Sequence, residues 1–360
     1  MSTLLQHKKS EYLNLLKYKD KKVDLGTIPR FIMDLVRSAS KKEIIVIILH
    51  YLFDKKEDET MAYMPLDKSK LYLDKTQMPK VYDLSNPWGV DTPLWPFPGP
   101  RQDLLFPRGQ YLGRFHKRTM TYTGTLHAGT HMDAPNHVLH EEECDRERNG
   151  YSFDEIPLEY CIGSGVILDM TYLLDEFNER WDAAGGDPKK FGDIWTILMP
   201  EHFEKACEKD GLEIRPNDWV VVNTGFHRLW RINNDKYYNY YPGMGPEVAK
   251  WLLFEKNIKG ITGTWGATDS PLWHMPLKEQ MPWLHTAYLE ATGVDAATIY
   301  PDYEPCHRLF MQHGCCTVEN AGGDIDEVTG KRMTVAAFPF RCEMADGGFV
   351  RLCCWEEGSI

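Results

Sequence analysis

The chain has 360 residues, of which 42% are hydrophobic, 12% aromatic and 26% charged, which is typical of a globular protein and excludes a disordered or fibrous one. Its net charge of −12 and the lack of a basic stripe argue against nucleic acid as a partner. No run of about 18 consecutive apolar residues occurs, so the sequence predicts no membrane span.

The first 60 residues differ in charge from the rest, with 12 Lys and Arg residues against 9 Asp and Glu. Apolar side chains recur there at helical spacing, as in Ile28, Phe31, Ile32 and Leu35. We therefore expect residues 1–80 to form an N-terminal helical extension and linker that serves packing or oligomerisation. Residues 81–360 are expected to form the main domain.

The cysteines indicate the redox environment. There are nine, an odd number, and no C-x-x-C pair occurs, which argues against a disulfide framework and a cysteine zinc site. The first residues lack the hydrophobic stretch of a secretory signal. We expect a reducing compartment and a cytoplasmic location.

From residue 81 onward, short apolar runs alternate with helical patterns. The predicted strands cover residues 81–85, 122–125, 165–170, 219–223, 260–263, 333–340 and 349–354. Helices are predicted at 194–209, with Gly211 as the stop signal, and at 246–256, with Pro246 at the start. Because these elements show no regular βαβ period, the sequence predicts a mixed α/β fold, a mixed sheet wrapped by helices.

The segment 125–137 is rich in residues that bind metals. Four such side chains occupy odd positions: His127, His131, Asp133 and His137. Odd positions of an extended backbone point to one face, whereas Gly129 and Pro135 oppose a helix interior. We therefore predict a strand-to-loop segment that brings two imidazoles and a carboxylate together, a ligand set suited to Zn²⁺ or Mn²⁺.

The pattern H-x-G-T-H-x-D-x-P-x-H in this segment resembles the signature of the cyclase-like metal-dependent hydrolase family, which includes bacterial kynurenine formamidases and isatin hydrolases. Every fixed position of the signature is present. Further segments also resemble the family: 91–96, 153–157, 166–169, 223–225, 241–243, 263–271 and 306–320. The resemblance covers about residues 81–354, although segment 263–271 is altered and longer than the family's turn.

The resemblance implies the cyclase-like swivelling β/α fold, with a mixed-sheet or barrel-like core. It also implies a metal centre with one or two divalent ions, Zn²⁺ or Mn²⁺. The first ion would be held by His127, His131 and Asp133. His307 would hold the second, and Asp133 and Glu319 would bridge or be shared.

The resemblance further implies that His137 is the general acid/base and that Trp95 lies on the substrate's ring. His313 competes with His307 for the distal metal role, but the twelve-residue spacing to Glu319 favours His307. His227 is a candidate substrate-binding residue, because it follows segment 223–225.

The implied activity is hydrolysis of a small molecule by a metal-activated water, at a C–N bond of an aryl formamide or cyclic amide. A lactone hydrolase, a lyase or ring-closing enzyme on the same metal centre, and a non-catalytic relative are the alternatives. By the same resemblance we expect a homodimer or homotetramer.

Overall fold

The computed structural model describes residues 78–89, 92–94, 110–111, 118–119, 124–195, 197–273, 281–299 and 304–359. The chain divides into two units between Met78 and Pro79, and the fold described here belongs to the second. The predicted helical extension lies almost wholly outside the described residues, so it stays a prediction.

The described strands are short before residue 160 and longer towards the C-terminus. They are β1 (Tyr82–Asp83), β2 (Gln110–Tyr111), β3 (Arg118–Thr119), β4 (His131–Asp133), β5 (Ile162–Asp169), β6 (Ile197–Leu198), β7 (Trp219–Asn223), β8 (Gly243–Met244), β9 (Gly260–Gly263), β10 (Cys316–Glu319), β11 (Lys331–Pro339) and β12 (Gly347–Trp355). Each predicted strand has a counterpart among them except 122–125, of which the structure describes only residues 124 and 125, neither of them in a strand.

The described α-helices lie between residues 172 and 328. They are α1 (Tyr172–Ala183), α2 (Pro200–Asp210), α3 (Asn234–Asn239), α4 (Pro246–Lys250), α5 (Pro282–Thr292), α6 (Ala296–Ile299), α7 (Pro305–Gln312) and α8 (Ile325–Val328). In this part of the chain, no helix is both long enough and apolar enough to cross a membrane.

Seven of the described strands close into a barrel in the order β12, β11, β5, β7, β9, β10 and β4, because β12 pairs with both β11 and β4. Strands β5, β7, β9 and β10 run parallel, and the other barrel pairs are antiparallel. The edge of β12 that pairs with β4 also pairs with β1. The predicted mixed α/β fold with a barrel-like core is therefore confirmed.

Successive side chains along each barrel strand point to opposite faces, so the buried apolar residues form two layers. Met132, Val221, Val318 and Leu352 belong to one buried cluster, the barrel interior. Their strand neighbours face outward, where Val220 and Val222 pack with residues of the surrounding helices such as Phe177 of α1. Each fully buried apolar side chain of this kind contributes about 1.5–3 kcal/mol of transfer free energy.

The predicted helix at 194–209 is wrong in its first part. Residues Ile197–Leu198 form β6, which pairs in parallel with β8. The helix begins only at Pro200, whose missing N–H is harmless in a first turn. It ends as predicted at Gly211, which has φ +64°. Pairing with a distant strand thus overrides the helical pattern of the first residues.

Candidate metal centre

Two barrel strands present three acidic or imidazole side chains on the outer face of the barrel. Glu319, the last residue of β10, is in register with His131 of β4. Because Met132 and Val318 point into the barrel, the alternate residues His131, Asp133 and Glu319 point outward. All three are buried beneath the surrounding chain.

Helix α7 brings His307 to the same point. Its Nε2 lies 2.9 Å from Glu319 Oε1 and 3.4 Å from Asp133 Oδ2. Its Nδ1 lies 2.6 Å from Asp269 Oδ2. The Asp269 carboxylate also accepts the backbone N–H groups of Cys306 at 2.7 Å and of His307 at 3.0 Å, so it orients the ring from the first turn of the helix.

The remaining two imidazoles come from the segment around β4. His127 Nδ1 lies 2.8 Å from Asp133 Oδ1, and its Nε2 lies 3.2 Å from Asp346 Oδ2. His131 Nε2 lies 3.3 Å from Asp133 Oδ1, while its Nδ1 lies 2.9 Å from the Gly129 carbonyl oxygen. Gly129 has φ +64°, a left-handed conformation that favours glycine.

This arrangement fits a metal centre. Among the described residues, the sets His127/His131/Asp133 and Asp133/His307/Glu319, called here the two donor sets, each offer three ligand atoms within 4.8 Å of one another. A more exposed third group, His127/His137/Asp346, meets the same distance limit. Asp133 Oδ2 is buried and makes no hydrogen bond to any described residue. Imidazole nitrogen and carboxylate oxygen are the ligands that Zn²⁺ and Mn²⁺ accept. Because Asp133 belongs to both sets, the residues suit one ion or two.

Two of these imidazoles also have an acceptor for their other nitrogen. His131 has the Gly129 carbonyl and His307 has Asp269, while His127 Nε2 lies 3.2 Å from Asp346 Oδ2 without a hydrogen bond to any described residue. Metal-binding histidines in proteins are held in this way, because the outer acceptor fixes both the tautomer and the orientation of the ring. The geometry is therefore that of oriented ligands rather than of surface histidines that happen to be close.

The electrostatics of the centre favour a cation. Burial raises the pKa of Asp133, but the neighbouring His131, His127 and His307 outweigh it and hold that pKa well below its usual range. Burial lowers the pKa of His127, yet the carboxylates of Asp133 and Asp346 raise it to about 10. For His307, the carboxylates led by Glu304 likewise overcome burial and raise the pKa. The buried acids thus need positive charge beside them, which a divalent ion would supply.

His137 lies beside the two donor sets at the end of a 3-10 turn, Pro135–His137. Its ring stacks on His127 with centroids 4.0 Å apart and lies 6.3 Å from the His307 ring. Its Nδ1 is 3.8 Å from Asp346 Oδ2. The side chain is 28% exposed, in contrast to the buried ring of His307, so solvent reaches it.

The other predicted residues lie elsewhere. His313 is exposed, with Nδ1 2.8 Å from the Leu309 carbonyl oxygen, and is absent from the donor sets found among the described residues. His227 Nε2 lies 3.3 Å from Asp326 Oδ2, likewise outside those sets. Its substrate-binding role stays a prediction. Trp95 lies outside the described residues.

Sequence reasoning missed Asp269 and Asp346, the two carboxylates that lie against the rings of His307 and His127. It also missed Trp88, whose ring contacts the site so closely that a Cβ on Gly129 would lie 2.5 Å from Trp88 Cδ1. Asp346 did carry a signal, because an acid followed by two glycines precedes the predicted strand 349–354.

Comparison with known proteins agrees with this fold. Residues 82–270 match the model of the Cyclase family, described as "Putative cyclase". Isatin hydrolase A from Ralstonia solanacearum superposes with a TM-score of 0.58 at 19% identity, covering 77% of this chain and 92% of that chain. Isatin hydrolase A from Labrenzia aggregata, bound to benzyl benzoate, gives a TM-score of 0.55 at 20% identity, covering 77% and 93%. A search of curated proteins found no significant match.

Proposed function

This chain belongs to the Cyclase family, and on that premise we propose that it is a metal-dependent hydrolase of a C–N bond in an aryl formamide or a cyclic amide. One observation carries the proposal: Asp133 is shared by two sets of oriented ligand atoms, each within 4.8 Å. The solved structures whose fold it shares are named isatin hydrolases, and isatin is a cyclic amide.

His127, His131 and Asp133 would hold one divalent ion, and Asp133, His307 and Glu319 would hold a second. When bound, Zn²⁺ or Mn²⁺ supplies Lewis acidity, which lowers the pKa of water and polarises a carbonyl group. The chain's own contribution is to hold these ligands in one buried place and to keep their rings oriented through Gly129, Asp269 and Asp346.

His137 is the residue we assign to proton transfer. Hydrolysis of an amide adds one water, so the departing nitrogen gains a proton as the C–N bond breaks. His137 faces Asp346 with Nδ1, which leaves Nε2 for exchange with substrate or water. Its partial exposure and its stack on His127 support this role.

Aromatic side chains beside the centre support an aryl substrate. Phe349 of β12 is in register with His131, and the Trp88 ring lies 4.3 Å from the Phe349 ring. The Phe340 ring also stacks on Phe349, with centroids 6.3 Å apart. Flat apolar faces of this kind bind a planar ring by offset stacking. We propose Trp88 as a substrate contact, together with the predicted Trp95.

The test is a hydrolysis panel read by mass spectrometry. The metal-free protein is reloaded separately with Zn²⁺ or Mn²⁺ and offered an N-formyl aryl amine, isatin and an unsaturated lactone. We expect either a ring-opened product of isatin that is heavier by one water, or the free amine and formate from the N-formyl aryl amine, whose masses together exceed the substrate by one water. The Asp133→Asn variant should give no product. Turnover of the lactone alone would support a lactone hydrolase. Products whose masses together include no added water would identify a lyase or cyclase, and no product from a folded, metal-loaded protein would refute the hydrolase.

A further inference from the structure

The start of β12 lies directly against the strand that carries the ligands. Asp346 immediately precedes β12, and its carbonyl oxygen accepts the Ala134 backbone N–H at 3.0 Å. The next residue, Gly347, is in register with Asp133. The backbone of Asp346 is therefore held by the same ladder that positions Asp133.

The Asp346 side chain lies between two imidazoles. Its Oδ2 is 3.2 Å from His127 Nε2 and 3.8 Å from His137 Nδ1. The two rings are stacked with 23° between their planes. A carboxylate at the edge of such a stack interacts with both rings at once, so it opposes rotation or separation of either one.

Gly347 makes this close approach possible. A Cβ at that position would lie 2.7 Å from His127 Cε1 and 3.0 Å from the Met132 carbonyl oxygen. Any other residue would push the ring and the strand apart. The absence of a side chain at Gly347, next to Asp346, thus explains how the half-exposed Asp346 carboxylate comes close to His127.

We propose that Asp346 is a positioning residue that holds the imidazoles of His127 and His137 in one stack and so fixes the proton-transfer group against the metal ligand. The role assigned to His137 rests on the proposed function, whereas the orientation of the two rings does not. Asp346 differs from Asp269, the outer acceptor of His307, because it touches a ring outside the two donor sets as well as one inside them.

The first test needs neither metal nor substrate. Two-bond ¹H–¹⁵N spectra of the histidine rings are compared for the metal-free full chain and its Asp346→Ala variant. We expect the signals of His127 and His137 to move and those of His131 and His307 to stay. Unchanged spectra, or equal changes at all four rings, would overturn the proposal.

The second test measures metal affinity and turnover in Asp346→Ala, in Asp346→Asn, and in Glu343→Gln as a control on the same exposed loop. For Asp346→Ala we expect Mn²⁺ and Zn²⁺ to bind about 10–100-fold more weakly. At saturating metal, we expect kcat to fall more than KM rises. Asp346→Asn should recover part of both effects, because its amide oxygen still presents a partial negative charge to the two rings.

Thermal unfolding of the metal-free variants separates positioning from simple folding support. We expect Asp346→Ala to unfold within about 2 °C of the parent, since half-exposed surface substitutions change stability little. A large loss of melting temperature with unchanged metal affinity per folded molecule would overturn the proposal. If the parent binds metal but hydrolyses none of the panel, the proposed function fails, while the ring spectra and the metal affinities still decide the role of Asp346.

Discussion

Asp218 and Asp133 are buried carboxylates at opposite ends of the barrel, and they differ in their partners. Asp218 immediately precedes β7. Asp133 lies beside Glu319, the last residue of β10, and β7 and β10 run parallel with β9 between them. Asp218 is 3% exposed, and its two oxygens accept from Arg332 Nη1 at 2.9 Å and Nη2 at 3.0 Å. The backbone N–H of Arg215 adds a third bond at 2.8 Å. The protein itself satisfies this acid.

Asp133 is as deeply buried but is not satisfied in this way. Its neighbours are imidazoles, and its Oδ2 makes no hydrogen bond to any described residue. The guanidinium of Arg332 is always charged and neutralises Asp218 permanently. The imidazoles beside Asp133 are positively charged only while they are protonated. A buried acid surrounded by oriented, titratable nitrogens is therefore suited to a site where the imidazole protons are exchanged for a metal ion.

The largest effect we expect comes from Asp133→Asn. The amide removes the carboxylate that both donor sets share, so metal binding at the centre should be lost and turnover should fall by more than about 10³-fold, as when a catalytic metal's main charged ligand is removed. Metal content by mass spectrometry and kcat/KM check this. A variant that keeps stoichiometric metal would remove Asp133 from the ligand set.

His137→Ala should separate the ligands from the proton-transfer group. We expect full metal content and a kcat lowered by about 10²–10⁴-fold, the usual contribution of a general acid or base. His131→Ala is the matched control and should lose metal. If His137→Ala loses metal as well, His137 belongs among the ligands, as its proximity to His127 and Asp346 would then explain.

Asp218→Asn tests the other side of the comparison. It leaves Arg332 without its charged partner, and we expect the free energy of unfolding to fall by about 3 kcal/mol, at the lower end for broken buried pairs because Arg332 keeps some exposure. Metal affinity should not change. Urea unfolding of the metal-free protein measures the first quantity, and an unchanged midpoint would show that the pair contributes little net stability.

Asp269→Asn should have a smaller effect on the metal. The amide keeps one acceptor oxygen but loses the charge that orients His307. We expect metal affinity to drop by about 10–100-fold without loss of fold. Competition with a chelating dye measures the change, and wild-type affinity would mean that the helix alone orients the ring.

The smallest effect should come from His313→Ala. This exposed side chain contacts the Leu309 carbonyl and the Phe254 ring, so stability should change by no more than about 0.5 kcal/mol. Metal content should stay intact, whereas His307→Ala should lose metal. The reverse result would restore His313 as the distal ligand.

Much of the fold could be predicted from local pattern. The runs 219–223 and 260–263 form β7 and β9 as predicted. A strand buried on both faces is a nearly continuous apolar run, so it can be predicted without knowing its neighbours in the barrel. Strand β6 could not be predicted, since only its pairing with β8 gives it an extended conformation. The predicted homo-oligomer, cytoplasmic location and substrate contact of Trp95 are not tested by the described residues and stay predictions.

Local pattern alone predicted the donor chemistry and most of the donor residues. His127, His131, Asp133 and His137 are so close in sequence that any fold with an extended backbone in this segment keeps them together. The placement of His307 and Glu319 beside it followed from resemblance alone. Only the tertiary structure brought Asp269 and Asp346 to the rings. The residues next to an aspartate in sequence do not show whether it lies on a surface loop or beside a buried imidazole. Its role depends on which distant strand or helix packs against it in the folded barrel.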